Sequence, residues 1–207
     1  MSADTDNPTV ELILDCAREE FMEHGFRGAS LNGIIRKTGY TKGAFYYYFE
    51  SKEALFDALV RSTSDGIIEI LRKVTEECQS YPAEERMYRM SGCVCRYIPE
   101  FVDFIIAHRD ETTMLITGSQ GTRYDGYMDM IRARQEDAVM DNIRRAMGSI
   151  PVDDGSYRTL IAGYFSMYRS VLLTSADREE MISRLMDIQL LYERGIIGLF
   201  KYRAGAE

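Results

Sequence analysis

One stretch of the chain, SLNGIIRKTGYTKGAFYYYFESK at positions 30–52, constrains the fold more than any other. Ser30 is a good N-cap residue ahead of an apolar face about two helical turns long. Gly39 can adopt the left-handed conformation that ends a helix, and Thr41 offers a second N-cap two residues later. The stretch therefore predicts two short helices joined by a tight turn, a helix-turn-helix.

The second of these helices has two different sides. Phe45 and Phe49 are four residues apart and predict a buried side. The other residues are small or polar: Lys42, Gly43, Ala44, Tyr46 and Tyr47. Small residues let a helix come close to base edges in the major groove, and lysine and tyrosine suit phosphates. We interpret this helix as a DNA reader.

The segment GFRGASLNGIIRKTGYTKGAFYYYFESKEALF resembles the TetR family of bacterial transcriptional regulators, with a match over about 13–59. The resemblance implies base-facing roles for Asn32, Lys42, Gly43, Ala44 and Tyr46. It implies phosphate contacts for Ser30, Thr41, Tyr47, Tyr48 and Lys52. Ile35 replaces the family's usual alanine, and Tyr40 replaces a small aliphatic residue. An alternative for the tyrosine run is that some rings cover the three-helix core.

The charge distribution favours the same interpretation. The chain carries a net charge of -8, which argues against indiscriminate nucleic-acid binding. Its positive charge is concentrated between Arg27 and Lys52, where Glu50 is the one acid. An acidic remainder would restrict DNA contact to that basic face. Chance clustering is the alternative.

Length and periodicity predict an all-α protein. Apolar residues recur at helical spacing along the 207 residues, and strand-like alternation does not persist, so we expect about nine helices. We place a helix-turn-helix DNA-binding domain at 1–51 and a helical ligand-sensing and dimerisation domain at 52–207. The helix that begins at Lys52 is expected to run to about Gln79, belong to both domains and cross between them near Gly66.

The cysteines and the apolar segments indicate a cytoplasmic location. The four cysteines form no CxxC pair, which fits a reducing compartment and predicts neither a metal nor another cofactor. The N-terminal residues lack the apolar core of a secretory signal, and no apolar run is long enough to span a membrane.

The final helix carries apolar residues at heptad spacing, which predicts a helix–helix seam. The resemblance implies a homodimer formed through the last two helices. The expected interface residues are Leu160, Tyr164, Met167, Val171, Leu185, Ile188, Tyr192, Gly195 and Leu199. The alternative is that both apolar stripes are internal.

A small-molecule effector site is expected among the helices between Ser51 and Met147. Pro99 should kink one of these helices, and a kink can form a pocket wall. The candidate lining is aromatic or adaptable: Tyr88, Phe101, Phe104, Met114, Arg123, Tyr124 and Tyr127. Ordinary core packing is the alternative for most of these side chains.

Two other functions fit the sequence less well. An enzyme is disfavoured because neither His24 nor His108 belongs to a Glu-x-x-His or HExxH motif, and no Walker, dinucleotide or GxSxG motif occurs. A helical protein-binding adaptor would leave the basic cluster without a role. The sequence thus predicts a dimeric regulator that binds a pseudo-palindromic operator in double-stranded DNA and is released by a small molecule, and the resemblance implies repression.

Overall fold

A computed structural model describes residues 7–147 and 153–203, and within them the chain forms nine α-helices and no strand. The helices are α1 (Pro8–Gly28), α2 (Leu31–Thr38), α3 (Lys42–Tyr48), α4 (Lys52–Ser80), α5 (Ala83–Ala107), α6 (Arg109–Thr117), α7 (Tyr127–Met147), α8 (Asp154–Thr174) and α9 (Arg178–Arg203). The prediction of an all-α fold is confirmed. Residues 1–6, 148–152 and 204–207 lie outside the described part.

Glycines interrupt or delimit two of the helices. α1 is interrupted by a kink at Gly25, whose backbone is non-helical (φ 63°), and a further helical turn runs to Gly28. α7 begins only at Tyr127, because Gly121 (φ 87°) and Gly126 (φ 67°) hold the preceding residues in turns. A left-handed residue cannot continue an α-helix.

The chain forms two compact units. The first runs to Gly66 and also includes His108–Tyr127; the second comprises Ile67–Ala107 and the chain from Met128 onward. This division differs from the expected boundary at residue 51. α4 is continuous, and its first half, with α6 and the following loop, belongs to the first unit.

The first unit has an aromatic centre and a backbone joint. The rings of Phe21, Phe26 and Phe56 lie 5.1–6.0 Å apart, centroid to centroid. The amide of Phe26 donates to the carbonyl of Gly118 at 2.7 Å. An Arg18–Glu111 ion pair (3.1 Å) also joins α1 to α6. These bonds explain why residues 108–127 belong with the helix-turn-helix although they are distant in sequence.

In the second unit, α9 packs against both α5 and α8. Met181 and Leu185 of α9 are fully buried. Arg178 pairs with Asp103 at 2.5 Å, and a separate apolar cluster contains Phe200. α5 runs through Pro99. Across the described helices, none has the length and hydropathy to cross a bilayer. The same described residues contain no group of three potential metal ligands.

Candidate DNA-binding interface

The local signals in the helix-turn-helix produce the expected geometry. The Ser30 hydroxyl accepts from the amide of Gly33 at 3.1 Å, and the Thr41 hydroxyl accepts from the amide of Ala44 at 3.2 Å. Gly39 ends α2 in the left-handed conformation (φ 73°). Each cap satisfies a backbone N–H that lacks a partner within its helix. The turn between α2 and α3 is therefore determined by short-range chemistry.

α3, which we call the reader helix, buries one side and exposes the other. Phe45 and Phe49 are buried, with ring centroids 5.9 Å apart. Tyr46 and Tyr47 are 51% and 77% exposed, so these two rings do not serve mainly to cover the core. A Cβ added at Gly43 would meet only the Thr41 hydroxyl, at 3.9 Å. The outer surface of the helix start is therefore open to a partner.

Two other tyrosines bond to the start of α1. The Asn7 side-chain amide donates to the Tyr48 hydroxyl at 3.3 Å, while the other end of the same side chain caps α1 by accepting from the amide of Thr9. The Tyr40 and Thr9 hydroxyls are 3.3 Å apart. Tyr40, the unusual residue of the turn, thus ties the turn to α1. Tyr48 shares this tethering role, and its expected phosphate contact stays a prediction.

Lys52 has an internal role that sequence reasoning missed. Its ammonium donates to the carbonyls of Phe26 (2.6 Å) and Ala29 (2.9 Å) and lies 4.5 Å from the centre of the Phe26 ring. Burial lowers the pKa of Lys52. A cation at the carbonyl end of α1 satisfies acceptors that the helix leaves open. The implied phosphate contact of Lys52 stays a prediction, for which at most one of its three N–H groups remains.

Glu20 is a buried acid within the reader unit and was also missed. It is 6% exposed, and its carboxylate accepts from the amide of Ser30 (3.0 Å) and pairs with Lys37 (3.2 Å). The hydrogen bond from the Ser30 amide is the largest cause that lowers the pKa of Glu20, although burial opposes it. The sequence offered one signal for this role, which is that Glu20 lies next to Phe21 on the apolar side of α1. Glu20 therefore fixes the start of α2 against α1.

These internal contacts narrow the basic surface. Lys37 and Lys52 are paired inside the unit, and the Arg27 side chain lies against Gly121. Arg36 and Lys42 are exposed and form no ion pair with any described residue. The positive charge available to DNA is thus concentrated on the last turn of α2 and the first turn of the reader helix.

The predicted dimer seam is corrected in part, because several of its residues face their own chain. Leu185 is 0% exposed, and Ile188 and Val171 are also buried. Leu199 packs against the cluster that contains Phe200. Gly195 is exposed, with no atom near the position of an added Cβ. Heptad spacing fits packing within one chain as well as between two, so spacing alone could not distinguish them.

Tyr164, Met167, Tyr192 and Leu160 lie on half-buried positions of α8 and α9. The Tyr192 hydroxyl donates to the Leu160 carbonyl at 3.0 Å within the chain. The exposed apolar residues of α9 are Leu190, Leu191 and Tyr202, which sequence reasoning did not select.

The seven expected effector residues are divided between the two units. Tyr88, Phe101 and Phe104 belong to the second unit, where Tyr88 is exposed. Met114, Arg123, Tyr124 and Tyr127 belong to the first. Tyr124 is buried there and donates to Asp57 at 2.8 Å. Met114 and Tyr127 are also buried in the first unit, whereas Arg123 is exposed, and the role of the seven residues as an effector site stays a prediction.

Together, the fold and this surface define a helix-turn-helix protein with a second helical unit. The family model described as "Bacterial regulatory proteins, tetR family" matches residues 13–59. The helix-turn-helix segment of the chain is therefore similar to that of TetR-family regulators.

Individual relatives are similar to the chain in sequence, and one solved structure is similar to it in fold. An HTH-type transcriptional repressor AcnR of Corynebacterium efficiens is 35% identical over 78 residues, which are 33% of this chain and 42% of that protein. The chain thus spans less than half the length of this relative. AcnR of Corynebacterium diphtheriae is 25% identical over 185 residues, 85% of this chain and 86% of that protein. A TetR-like regulator from Rhodococcus sp. RHA1 shares the fold with a TM-score of 0.60 at 17% identity, covering 90% of this chain and 96% of the other.

Proposed function

We propose that this protein is a sequence-specific DNA-binding transcriptional regulator that reads its operator with α3. The observation that carries the proposal is the exposed start of the reader helix. Lys42 and Tyr46 project from it, and Gly43 leaves its backbone open to close approach. In a major groove, a basic residue beside an uncovered helix surface can reach base edges. The buried Phe45 and Phe49 hold that surface at a defined angle.

The surrounding residues divide into two proposed roles. Base contacts come from Asn32, Lys42, Gly43, Ala44 and Tyr46, and phosphate contacts from Ser30, Thr41, Tyr47 and Arg36. Ser30 and Thr41 use their hydroxyl oxygens as acceptors within the helix caps, so each retains a proton that it can donate to a phosphate oxygen. Arg36 is added because it is exposed in the last turn of α2 and forms no ion pair among the described residues.

The proposed active form is a homodimer that binds a pseudo-palindrome in two successive major grooves. The exposed side of α9 with Leu191, Gly195, Gly198 and Tyr202 supports a helix-to-helix contact between two copies. The glycines would let the two backbones approach closely. Repression is the proposed action, by analogy with the repressors that the chain resembles, and the cytoplasm, where the chromosome lies, is the proposed location.

A small-molecule effector is proposed to bind the second unit and to weaken DNA binding. α4 is one continuous helix that begins beside the reader helix and continues into the second unit. A ligand that favours one position of its far end therefore biases the near end. Such coupling is reciprocal, so operator DNA must weaken effector binding by the same factor.

Selection of duplexes from a genomic library with the purified chain tests the proposal. We expect enrichment of one pseudo-palindromic sequence, with an affinity that falls steeply as salt increases. Lys42→Ala and Tyr46→Ala should each cost about 1–3 kcal/mol of discrimination between operator variants. Glu50→Gln is the control, since this exposed acid lies just beyond the reader helix. Recovery of unenriched library sequence would refute the proposed function.

A further inference from the structure

Two buried cysteines of the second unit, Cys78 of α4 and Cys93 of α5, lie side by side, and we call them the thiol pair. They are 3% and 1% exposed. A side-chain hydrogen bond joins the two thiols. The Cys78 thiol also lies 3.7 Å from the carbonyl of Arg86, to which it can donate. Two sulfur atoms from different helices are therefore in direct contact.

Ion pairs between α4 and α5 explain why these two positions meet. Lys73 pairs with Glu100 at 2.7 Å, and Glu77 pairs with Arg96. The later a residue lies in α4, the earlier its partner lies in α5, so the two helices run antiparallel on either side of a short turn. The thiol pair is the next contact towards that turn. Because its members lie on different helices, no spacing motif in the sequence indicates it.

Two sulfur atoms at one point suit a soft metal ion. Thiolates are the ligands that favour Cu(I), whereas a structural zinc ion takes four ligands in a tetrahedron. Within residues 7–147 and 153–203, no three side chains of His, Cys, Asp or Glu are grouped so that they could share an ion. The thiol pair therefore fits a cation that two sulfur ligands satisfy, and it does not fit structural zinc.

The neighbouring charges match such a complex. One monovalent cation and two thiolates together carry a single negative charge. The guanidinium of Arg86 donates to two backbone carbonyls at the end of α4 and in the turn, at 2.9 Å each, which holds it beside Cys78. Arg96 is neutralised by its pairing with Glu77, whereas Arg86 forms no ion pair among the described side chains. Arg86 thus supplies the one positive charge that the complex needs.

The same surroundings argue against a redox switch. Burial is the main cause that raises the pKa of both thiols, that of Cys93 to about 11, so both are protonated at neutral pH. Attack on a peroxide requires a thiolate. A metal ion can instead displace the protons, because each metal–sulfur bond replaces an S–H bond. The thiol pair is therefore better suited to metal binding than to disulfide formation.

The end of the helix hairpin gives an ion a route to the buried sulfur atoms. Cys78 lies two residues before Ser80, where α4 ends, and the side chains of Gln79, Ser80 and Pro82 are exposed. The terminal turn of a helix opens at a small cost in free energy. Opening of this one turn uncovers Cys78 without unfolding the unit, so a permanent channel is not required.

We propose that the thiol pair binds one Cu(I) ion between the sulfur atoms of Cys78 and Cys93. The two thiol protons pass to solvent, and each sulfur forms one bond to copper. The ion stays monovalent throughout, so the step requires neither an oxidant nor a reductant. The bound ion joins α4 to α5 beside their turn and stabilises the second unit. This site goes beyond the proposed DNA binding and does not depend on it.

Competition with a coloured chelator tests the site in the full-length protein. The probe is the Cu(I) complex of bicinchoninate, kept under argon so that neither the thiols nor the ion is oxidised. We expect the wild type to withdraw one ion per chain from the chelator, and its Tm to rise. X-ray absorption of the loaded protein should show two sulfur neighbours around copper. Zn(II) should give no comparable rise in Tm, because the site lacks two of the four ligands that zinc prefers.

Serine variants identify the sulfur ligands. Cys78→Ser and Cys93→Ser should each weaken Cu(I) binding by more than about 100-fold, since loss of an outer-shell partner alone costs about 10–100-fold. Cys16→Ser and Cys95→Ser are the matched controls, because each removes a half-buried thiol outside the pair, and they should leave the affinity unchanged. The Tm of each metal-free variant shows whether it is folded, and the X-ray absorption of the wild type needs no variant.

Two outcomes would overturn the inference. One is a wild type that withdraws no copper from the chelator and shows no rise in Tm, which would leave the thiol pair as core packing. The other is an unchanged Cu(I) affinity in both Cys78→Ser and Cys93→Ser, which would place the ion at another sulfur. The duplex selection is made without copper, so failure of this site remains distinguishable from failure of the proposed DNA-binding function.

Discussion

Replacing Glu20 should loosen the attachment of α2 to α1. Glu20→Ala removes the acceptor of the Ser30 amide and the partner of Lys37. A hydrogen bond to a charged group contributes about 1.5–3 kcal/mol. The carboxylate lies beside the exposed Ser30, so we take the lower part of that range, about 1.5–2 kcal/mol. The exposed ammonium of Lys37 contributes little beyond it, because water screens the pair.

Hydrogen exchange of peptides from α1 and α2 measures this loss directly. A change of about 1.5–2 kcal/mol corresponds to roughly 10–30-fold faster exchange, if the bond is lost in the same local opening. Glu20→Gln should fall between wild type and alanine, since its amide oxygen can still accept from Ser30. Glu19→Gln is the control, because that acid is exposed and 3.8 Å from Lys37. Equal protection in Glu20→Ala and Glu19→Gln would refute the reasoning.

The same carboxylate predicts a pH dependence with a definite sign. The folded-state pKa of Glu20 is lowered from an ordinary value of 4.5. Its contribution to stability is therefore complete above about pH 4.5 and is lost as the pH falls through the folded-state pKa. The Tm of wild type should fall faster with acid than the Tm of Glu20→Gln, and the two curves should converge. Parallel curves down to pH 3 would contradict this assignment.

Three further predictions concern other parts of the chain. Gly163→Ala should lower the free energy of unfolding by about 1–3 kcal/mol, because the added Cβ would lie 2.9 Å from the Tyr192 hydroxyl. A lower Tm that Tyr192→Phe partly restores would confirm the clash, and an unchanged Tm would exclude it. Lys52→Met should lower the free energy of unfolding of the free protein by about 2 kcal/mol, because two hydrogen bonds to carbonyls are lost. Thermal melting measures this loss. An unchanged Tm together with weaker DNA binding would show that Lys52 acts mainly as a phosphate contact. Leu191→Arg should leave the fold intact, because this side chain is exposed, and should convert the proposed dimer to a monomer in light scattering. An unchanged dimer would show that the contact between the two copies does not involve Leu191.

Short-range chemistry explains how much of this protein could be predicted. Ser30, Gly39 and Thr41 act on backbone groups within three residues of themselves, so their caps and turn follow from local sequence. Helical spacing of apolar residues likewise predicted about nine helices, and nine form within residues 7–147 and 153–203. The reader helix and its buried phenylalanines belong to this predictable part, because one short segment contains all the atoms involved.

Only the tertiary structure decided which partner each side chain meets. Lys52 looked like a phosphate ligand, but it lies beside carbonyls more than twenty residues away in the chain. The stripe of α9 that contains Leu185 looked like a dimer seam, but much of it is buried by the chain's own helices. Residues 108–127 joined the first unit through the bond from Phe26 to Gly118. Periodicity shows that one face of a helix is buried, but long-range packing determines what covers it.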